Sequence, residues 1–212
     1  TPIAELDSSM RRLPTLKAIQ CFEAASRLGA FAAAAEELLV DLSELFRATH
    51  QISAATLLSV HHPRIDSEIG YFTLTRFQPR LDRADNPHFS FDFDALEVLN
   101  GYQDAEQKHI NQLIDDWLSL INHGHLVTAT GNSDTHHLNY NLGGYPRNYV
   151  RVADDRLEAV TPTQVATAVK ARRSFFTTAP FVRLTANGAG IGDFASAPGG
   201  RAAFTSAPLV PL

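Results

Sequence analysis

The chain predicts an α/β fold with parallel strands, on three observations. Short apolar runs alternate with helical patterns from about residue 42 onward. Each of the first three runs ends on proline, glycine or asparagine, as short buried strands do. The residues able to do chemistry stand directly behind those runs, where open α/β sheets gather their ligands.

In chain order, residues 15–40 are alanine-rich and read as two helices. Leu16, Ile19, Phe22 and Leu28 recur at near-helical spacing up to the stop at Gly29. Phe31 to Leu39 forms the second helix, and the short join at Ala30 predicts a corner. Ser43 to Thr49 predicts a further helix, with Leu42, Leu45 and Phe46 as its apolar side. Thr56 to Val60 reads as a buried strand, ended by His61-His62-Pro63. Residues 76–93, with Pro79, Pro87 and several charges, read as loop. Ala95 to Leu99 is a second strand, closed by Asn100-Gly101. Asp104 to Asn122 is the clearest helix, with a stripe of Ile110, Leu113, Ile114, Trp117, Leu118 and Ile121. Leu126 to Thr130 is a third strand, followed by Gly131-Asn132-Ser133-Asp134. Thr161-Pro162 opens another helix, with Thr161 as cap and proline in the first turn. Phe175 to Thr178 and Phe181 to Ala186 read as strands. The tail from Gly188 predicts a strand pair with loops, or a partly loose segment. The chain therefore divides into a helical segment, 1–40, and an α/β domain, 41–212.

Composition narrows the function classes. Of 212 residues, 44% are hydrophobic and 19% charged, which suits a packed core rather than disorder. The net charge of −5 lacks the basic surplus that phosphate-led nucleic-acid binding uses. Cys21 is the single cysteine, so neither an intrachain disulfide nor a thiolate metal site is expected. Nine histidines instead direct any metal site to imidazole and carboxylate. No apolar run approaches the roughly 20 residues that span a bilayer. Thr1 to Met10 lacks the layout of a signal peptide, so the expectation is no membrane partner and, by default, a cytoplasmic protein.

Two segments carry candidate chemistry. In Ser133-Asp134-Thr135-His136-His137, Asp134 and His136 are two apart, so in an extended segment they point the same way. A carboxylate and an imidazole on one side bind one cation or bridge two; alternatively the segment is a strand-end turn whose polar groups cap backbone. His61-His62-Pro63-Arg64 holds an equivalent place behind another strand, where a lone histidine is more often a hydrogen-bonded surface residue. Taken together, His62, Asp134 and His136 match the three protein ligands and open position of a catalytic zinc site. Arg64 and Arg147 are candidates to hold an anionic group by paired donors, or else ordinary surface arginines. His123, His125 and His137 are candidate proton shuttles or extra ligands, with His123 more readily structural. Glu97 is expected at a strand end, as a ligand, a partner to a ligand, or a buried cap.

The order Ser-Val-His-His-Pro-Arg (59–64), Ile-Gly-Tyr-Phe (69–72), Phe-Asp-Ala-Leu-Glu-Val-Leu-Asn-Gly (93–101), Thr-Ala-Thr-Gly-Asn-Ser-Asp-Thr-His-His (128–137) and Gly-Tyr-Pro-Arg-Asn-Tyr-Val (144–150) resembles the polymerase and histidinol phosphatase (PHP) family. The branch it is most similar to is the one named for carbaryl hydrolase, and the resemblance runs from about residue 41 to 193. It implies a distorted (β/α)7 barrel with a two- or three-metal site that hydrolyses phosphoesters, esters or carbamates. By matching motifs it implies His62, Asp134 and His136 as metal ligands. Family members begin with a strand carrying His-x-His, and none precedes His61 here; where relatives often have asparagine, this chain has His61. The expectation is thus an incomplete (β/α)7-type barrel with an added N-terminal helical segment. Residues 11–40, with Arg11-Arg12-Leu13-Pro14 and Ala34-Ala35-Glu36-Glu37-Leu38, resemble the start of a LysR-type helix-turn-helix without its recognition helix.

The expected activity is metal-dependent hydrolysis with a divalent transition metal, Zn or Mn. His62, Asp134 and His136 would hold it, and His137, Arg147 and Arg64 would assist catalysis. The expected partners are a small-molecule ester and a second copy of the chain, since an incomplete barrel exposes strand edges and apolar surface. The competing expectation is a non-catalytic oligomerising fragment.

Overall fold

A computed structural model describes residues 42–53, 55–65, 70–101, 107–137, 143–178 and 180–209. The two helices and corner expected within residues 15–40 and the boundary at residue 40 lie outside the described residues, as does the LysR-like stretch.

The central feature is a parallel sheet of β1 (Ser59–Val60), β2 (Ala95–Asn100) and β3 (Thr128–Asn132), in the order β1-β2-β3. This makes the architecture α/β, as the alternation of runs predicts. All six residues of β2 are buried, as expected of a strand flanked on both sides. Helix α1 (Leu42–His50) precedes the sheet, and one turn, α2 (Tyr71–Leu74), follows β1. Helix α3 (Gln107–Asn122) makes the crossover that parallel pairing of β2 and β3 requires.

At the amino ends of the strands, Asp94 acts as a clamp. Its carboxylate accepts the Leu58 N–H at 2.9 Å, and its own N–H returns to the Leu58 carbonyl at 2.8 Å. His50 and Lys170 approach the same carboxylate at 3.5 and 3.8 Å. A side chain thus takes a place that ladder bonds would fill, so β1 is two residues long rather than the five expected from Thr56.

The 76–93 stretch is mostly irregular, as expected, but it is not surface loop throughout. Phe77 and Phe93 are buried, and Phe89 and Phe91 pack against them and against Tyr71 and Phe72. Phe77 and Phe89 stack at 4.3 Å, and Tyr71 and Phe89 at 5.4 Å. The Tyr71 hydroxyl both donates to the Ser90 carbonyl and accepts the Ser90 N–H, each at 2.9 Å, which satisfies a polar tip inside an aromatic cluster.

Helix α3 differs from its predicted stripe. Leu113, Asp116 and Leu120 are buried with Trp117 beside them, whereas Ile114 and Leu118 are exposed. The helix is rotated so that Asp116 reaches an internal cation, Arg64, and an apolar count cannot register that partner.

Beyond β3, β4 (Arg147–Val150) pairs antiparallel with β5 (Ser174–Thr177), and α4 (Pro162–Lys170) joins them. Thr161 caps α4 as predicted, in a reciprocal box with Gln164. β4 was not expected, being four residues of little alternation behind Pro146. β6 (Phe181–Ala186) has its predicted bounds, and the tail returns as β7 (Phe204–Leu209) to pair with it. Phe181 meets the rings of Tyr149 and Phe175 at 5.0 Å each, tying this hairpin to the β4–β5 pair. No helix among the described residues is long and apolar enough to cross a membrane.

The outer edge of β3 is closed by a side chain. The Asn148 amide accepts the Gly131 N–H at 3.0 Å and donates to the Gly131 carbonyl at 2.7 Å, imitating a ladder partner. Gly131 is required there, because a Cβ would stand 2.6 Å from the Phe176 ring. Gly131→Ala is expected to cost about 1–3 kcal/mol through overpacking. Phe176→Leu in the same chain should restore part of that loss. Urea unfolding of the two single variants and the double variant checks the coupling, and strict additivity would refute it.

Candidate metal centre

The carboxyl ends of β1, β2 and β3 bring together His61 and His62, Glu97 and Asn100, and Asn132, Asp134 and His136. Register explains the gathering. Val60 lies opposite Leu96, so His61 and His62 follow beside Glu97, and Asn100 faces Asn132 directly. A β-bulge between Glu97 and Leu99 inserts one extra residue in β2. In a regular strand Glu97 and Asn100 would face opposite ways; the bulge turns both side chains to the same place.

Glu97 is the buried centre, its side chain 2% exposed. It sits in the middle of β2, not at the strand end expected. It accepts the His62 backbone N–H at 2.8 Å and the Asn132 amide at 2.8 Å, with the Asn100 amide at 3.4 Å. The His61 and His62 Nδ1 atoms lie 3.5 and 3.3 Å from its two oxygens. Burial alone pushes this carboxyl up, but hydrogen bonds from His61, Asn132 and the His62 N–H outweigh it and hold the group below the ordinary carboxylate range. The hydrogen bond to Glu97 raises His61 above the usual imidazole range against the opposing effect of burial.

Asp134 is the second centre. His136 Nε2 lies 2.8 Å from one carboxylate oxygen, and the Asn100 amide donates to the other at 3.2 Å. His62 Nε2 stands 3.7 Å from that second oxygen, too far for a hydrogen bond. Asp134 and His136 converge by a route other than the extended segment expected. Asp134 has φ 47°, in the left-handed region, so the chain turns there and His136 folds back. His62 also has φ 47°. Arg76, Asp82, Arg172 and Asn187 adopt the same region elsewhere, so the left-handed turns at His62 and Asp134 shape the cluster without by themselves marking it as a site.

The structure brings His62 and His136 to the two oxygens of Asp134, places Glu97, already a candidate from the sequence, beside His62, and adds His61, Asn100 and Asn132. Asn100 and Asn132 carried no signal by themselves; their place at the last position of neighbouring strands was the available clue. Arg64 is not at this centre. Its Nε donates to Asp116 at 2.7 Å, its Nη2 to the Phe77 carbonyl at 3.1 Å, and its guanidinium lies 5.3 Å from the Phe72 ring centroid. Arg147 is exposed at the start of β4, opposite Thr177. His137 is exposed beside His136. His125 and His123 lie on the amino side of β3, away from the cluster. His125 stacks on Phe91 at 3.8 Å and meets Asp82 at 2.9 Å, while His123 bonds the Ser119 carbonyl at 2.8 Å.

Among the described residues, no group of three His, Cys, Asp or Glu side chains is already disposed around one ion position. The donor chemistry nonetheless fits an imidazole–carboxylate site. Two donors on one zinc, each about 2.1 Å away at a tetrahedral angle, stand roughly 3.4 Å apart, close to the 3.7 Å between His62 Nε2 and Asp134. The direct His136–Asp134 bond is the contact that an ion would replace. Compared with family models, curated proteins and solved structures, the chain finds no match in any of the three.

Two predictions follow from these charges. In chelator-treated protein, Glu97 contributes stability above the ordinary carboxylate value of 4.5, lost as pH falls through its lowered folded value. His61 contributes stability below the ordinary imidazole value of 6.5, lost as pH rises through its raised folded value. The pair is therefore most stabilising between those values, and His61→Ala should lessen the drop in urea midpoint between about pH 6 and about pH 8; an unchanged drop would contradict this.

For Arg64, burial is the larger influence on Asp116 and pushes its carboxyl up, with the Arg64 hydrogen bond opposing. Arg64→Met keeps the stem but strands that carboxyl. The side chains are 16% and 10% exposed, so the expected loss is about 2 kcal/mol, below the 3–5 of a fully buried pair. A weakened KM at unchanged stability would instead restore Arg64 to substrate binding.

Proposed function

We propose that the chain is a metal-dependent hydrolase acting on phosphoesters (di- or triesters) or on activated esters and carbamates. The observation that carries this reading is the convergence of His62, behind β1, with Asp134 and His136, behind β3, across the carboxyl end of the β2 strand between them. The three residues would hold a divalent transition metal, Zn or Mn, which when bound supplies a nucleophilic water of lowered pKa and stabilises developing negative charge. We read the three parallel strands as part of an incomplete (β/α)7-type barrel.

The chain's own groups have separable tasks. Asp134 presents one oxygen toward each of two imidazoles, and the Asn100 amide keeps its carboxylate from rotating. Glu97 anchors the turn that carries His62. His137, at the exposed mouth, is assigned proton transfer to the leaving group. Arg147, also exposed, is assigned the anionic part of the substrate. Gly101 supports that placement: a Cβ there would collide with the Tyr145 carbonyl, so glycine lets the segment leading to Arg147 close on the sheet end. Arg64 is left out of the site because its guanidinium is already engaged.

A second reading, a non-catalytic oligomerising fragment, draws on one observation. Leu184, Phe194 and Phe204, around the β6–β7 hairpin, are largely exposed. The same surface is compatible with an enzyme that works as a homodimer.

Elemental analysis of purified protein, with hydrolysis of nitrophenyl phosphate diesters and nitrophenyl esters before and after chelation, tests the proposal. His136→Ala is expected to retain the far-UV spectrum and lose metal affinity and turnover by about 10–100-fold. Metal-free wild-type protein with no turnover after zinc or manganese is added back would overturn the enzyme reading, and a dimer by light scattering in that case would favour the fragment.

A further inference from the structure

We propose that the open edge of β1 and its flanks, from Leu57 to His61, is the surface through which two copies of the chain associate, pairing antiparallel about a two-fold axis at Ser59. The proposal stands apart from the hydrolase reading.

Alternation defines the edge. Leu58 and Val60 turn their backbone toward β2: the Leu58 N–H meets Asp94, its carbonyl accepts the Asp94 and Ala95 N–H groups, and Val60 lies in register with Leu96. The His62 N–H goes the same way, to Glu97. In an extended chain the N–H and C=O groups of Leu57, Ser59 and His61 then point away from β2. β1 ends the sheet, and among the described residues no hydrogen bond reaches those outward groups.

The sheet treats its two edges differently. At β3 the Asn148 amide takes the place of a neighbouring strand. At β1 no side chain does so, and the usual deterrents to pairing are missing. Leu57 to Val60 contains no proline, lysine or other fixed charge, and Leu57 is 37% exposed.

The segment is also its own complement. With Ser59 opposite the partner's Ser59, Leu57 of each copy lies opposite the partner's His61, and every outward N–H meets an outward C=O. Pairing stops at Pro63 on one side. On the other it stops at Thr56, whose N–H bonds the Ser53 carbonyl and whose carbonyl accepts Lys170 Nζ at 2.7 Å. A foreign peptide would find main-chain groups here but no fixed charge on the strand to select it. A second copy instead covers the exposed Leu57, and it brings that leucine beside His61 at the candidate site. An antiparallel neighbour on a parallel sheet makes a mixed sheet, which is a common arrangement.

Sedimentation of the full chain over a micromolar concentration series is expected to show a dimer. Leu57→Lys, which puts a charge on the edge, should weaken it by about 10–100-fold with the far-UV spectrum unchanged. Leu184→Lys, on the β6–β7 hairpin, should leave it intact. Ser59→Cys in a Cys21→Ser background should cross-link the two copies on mild oxidation, because bonded antiparallel partners stand about 5.5 Å apart at Cα, within reach of a disulfide. A monomeric wild type overturns the proposal, and so does a Ser59→Cys chain that does not cross-link. A dimer that survives Leu57→Lys and is lost in Leu184→Lys moves the interface to the hairpin and overturns it as well. Should Leu57→Lys fail to fold, the wild-type mass and the cross-link decide. Metal content and turnover of the same samples separate the two readings: a metal-free, inactive dimer keeps this proposal and refutes the hydrolase, and an active monomer does the reverse.

Discussion

A carboxylate buried in the middle of the central strand is the constraint to which the rest of this structure answers. An isolated anion in the interior of a sheet is prohibitively costly, so Glu97 must be surrounded by donors. The donors it receives come from three different places: the turn after β1, the end of β2 and the end of β3. Satisfying one buried group therefore aligns the carboxyl ends of three strands. The convergence of His62, Asp134 and His136 above it follows from the same alignment.

The two ends of the sheet use acid in different ways. At the amino end, Asp94 holds the Leu58 backbone and stands 3.5 Å from the His50 imidazole and 3.8 Å from the Lys170 ammonium, which brings α1 and α4 to the sheet. At the carboxyl end, the groups around Asp134 are half open to solvent, and its neighbours are imidazoles rather than permanent cations. A lysine at that position would lock the carboxylate in a salt bridge. On the proposed reading, imidazoles leave it able to exchange a hydrogen-bonded partner for an ion, whereas Asp94 meets the Lys170 ammonium as well as an imidazole.

Much of this was legible in the sequence. The alternation of runs located all three parallel strands, and the segments behind them named His62, Asp134 and His136. The missing parts share a physical cause: they depend on partners distant in sequence. Asp116 is buried because Arg64 is inside, which turns α3 away from its most apolar stripe. Arg64, two residues beyond a candidate ligand in sequence, points elsewhere because that partner lies 52 residues on. Glu97 and Asn100 share a face only through the bulge, and no residue pattern marks a bulge. Asp134 and His136 were paired for a reason the backbone does not follow, since the left-handed turn, not strand alternation, brings them into contact.

The turns at His62 and Asp134 bear on why the arrangement persists. Both residues adopt a left-handed conformation uncommon for residues with a Cβ, though one in which aspartate and histidine are enriched. Turns elsewhere in the chain use glycine, as at Gly124 and Gly144, or a non-glycine residue, as at Arg76, Asp82, Arg172 and Asn187. The bonds that hold these two turns include Glu97 to the His62 N–H, the Ile65 N–H to the His62 carbonyl, and Asn100 and His136 to Asp134. The turns and the polar network are thus one object, in which the backbone holds the side chains and the side chains hold the backbone. Truncating any one member removes the support of another, so substitutions at Glu97, Asn100 and Asp134 should couple strongly rather than add.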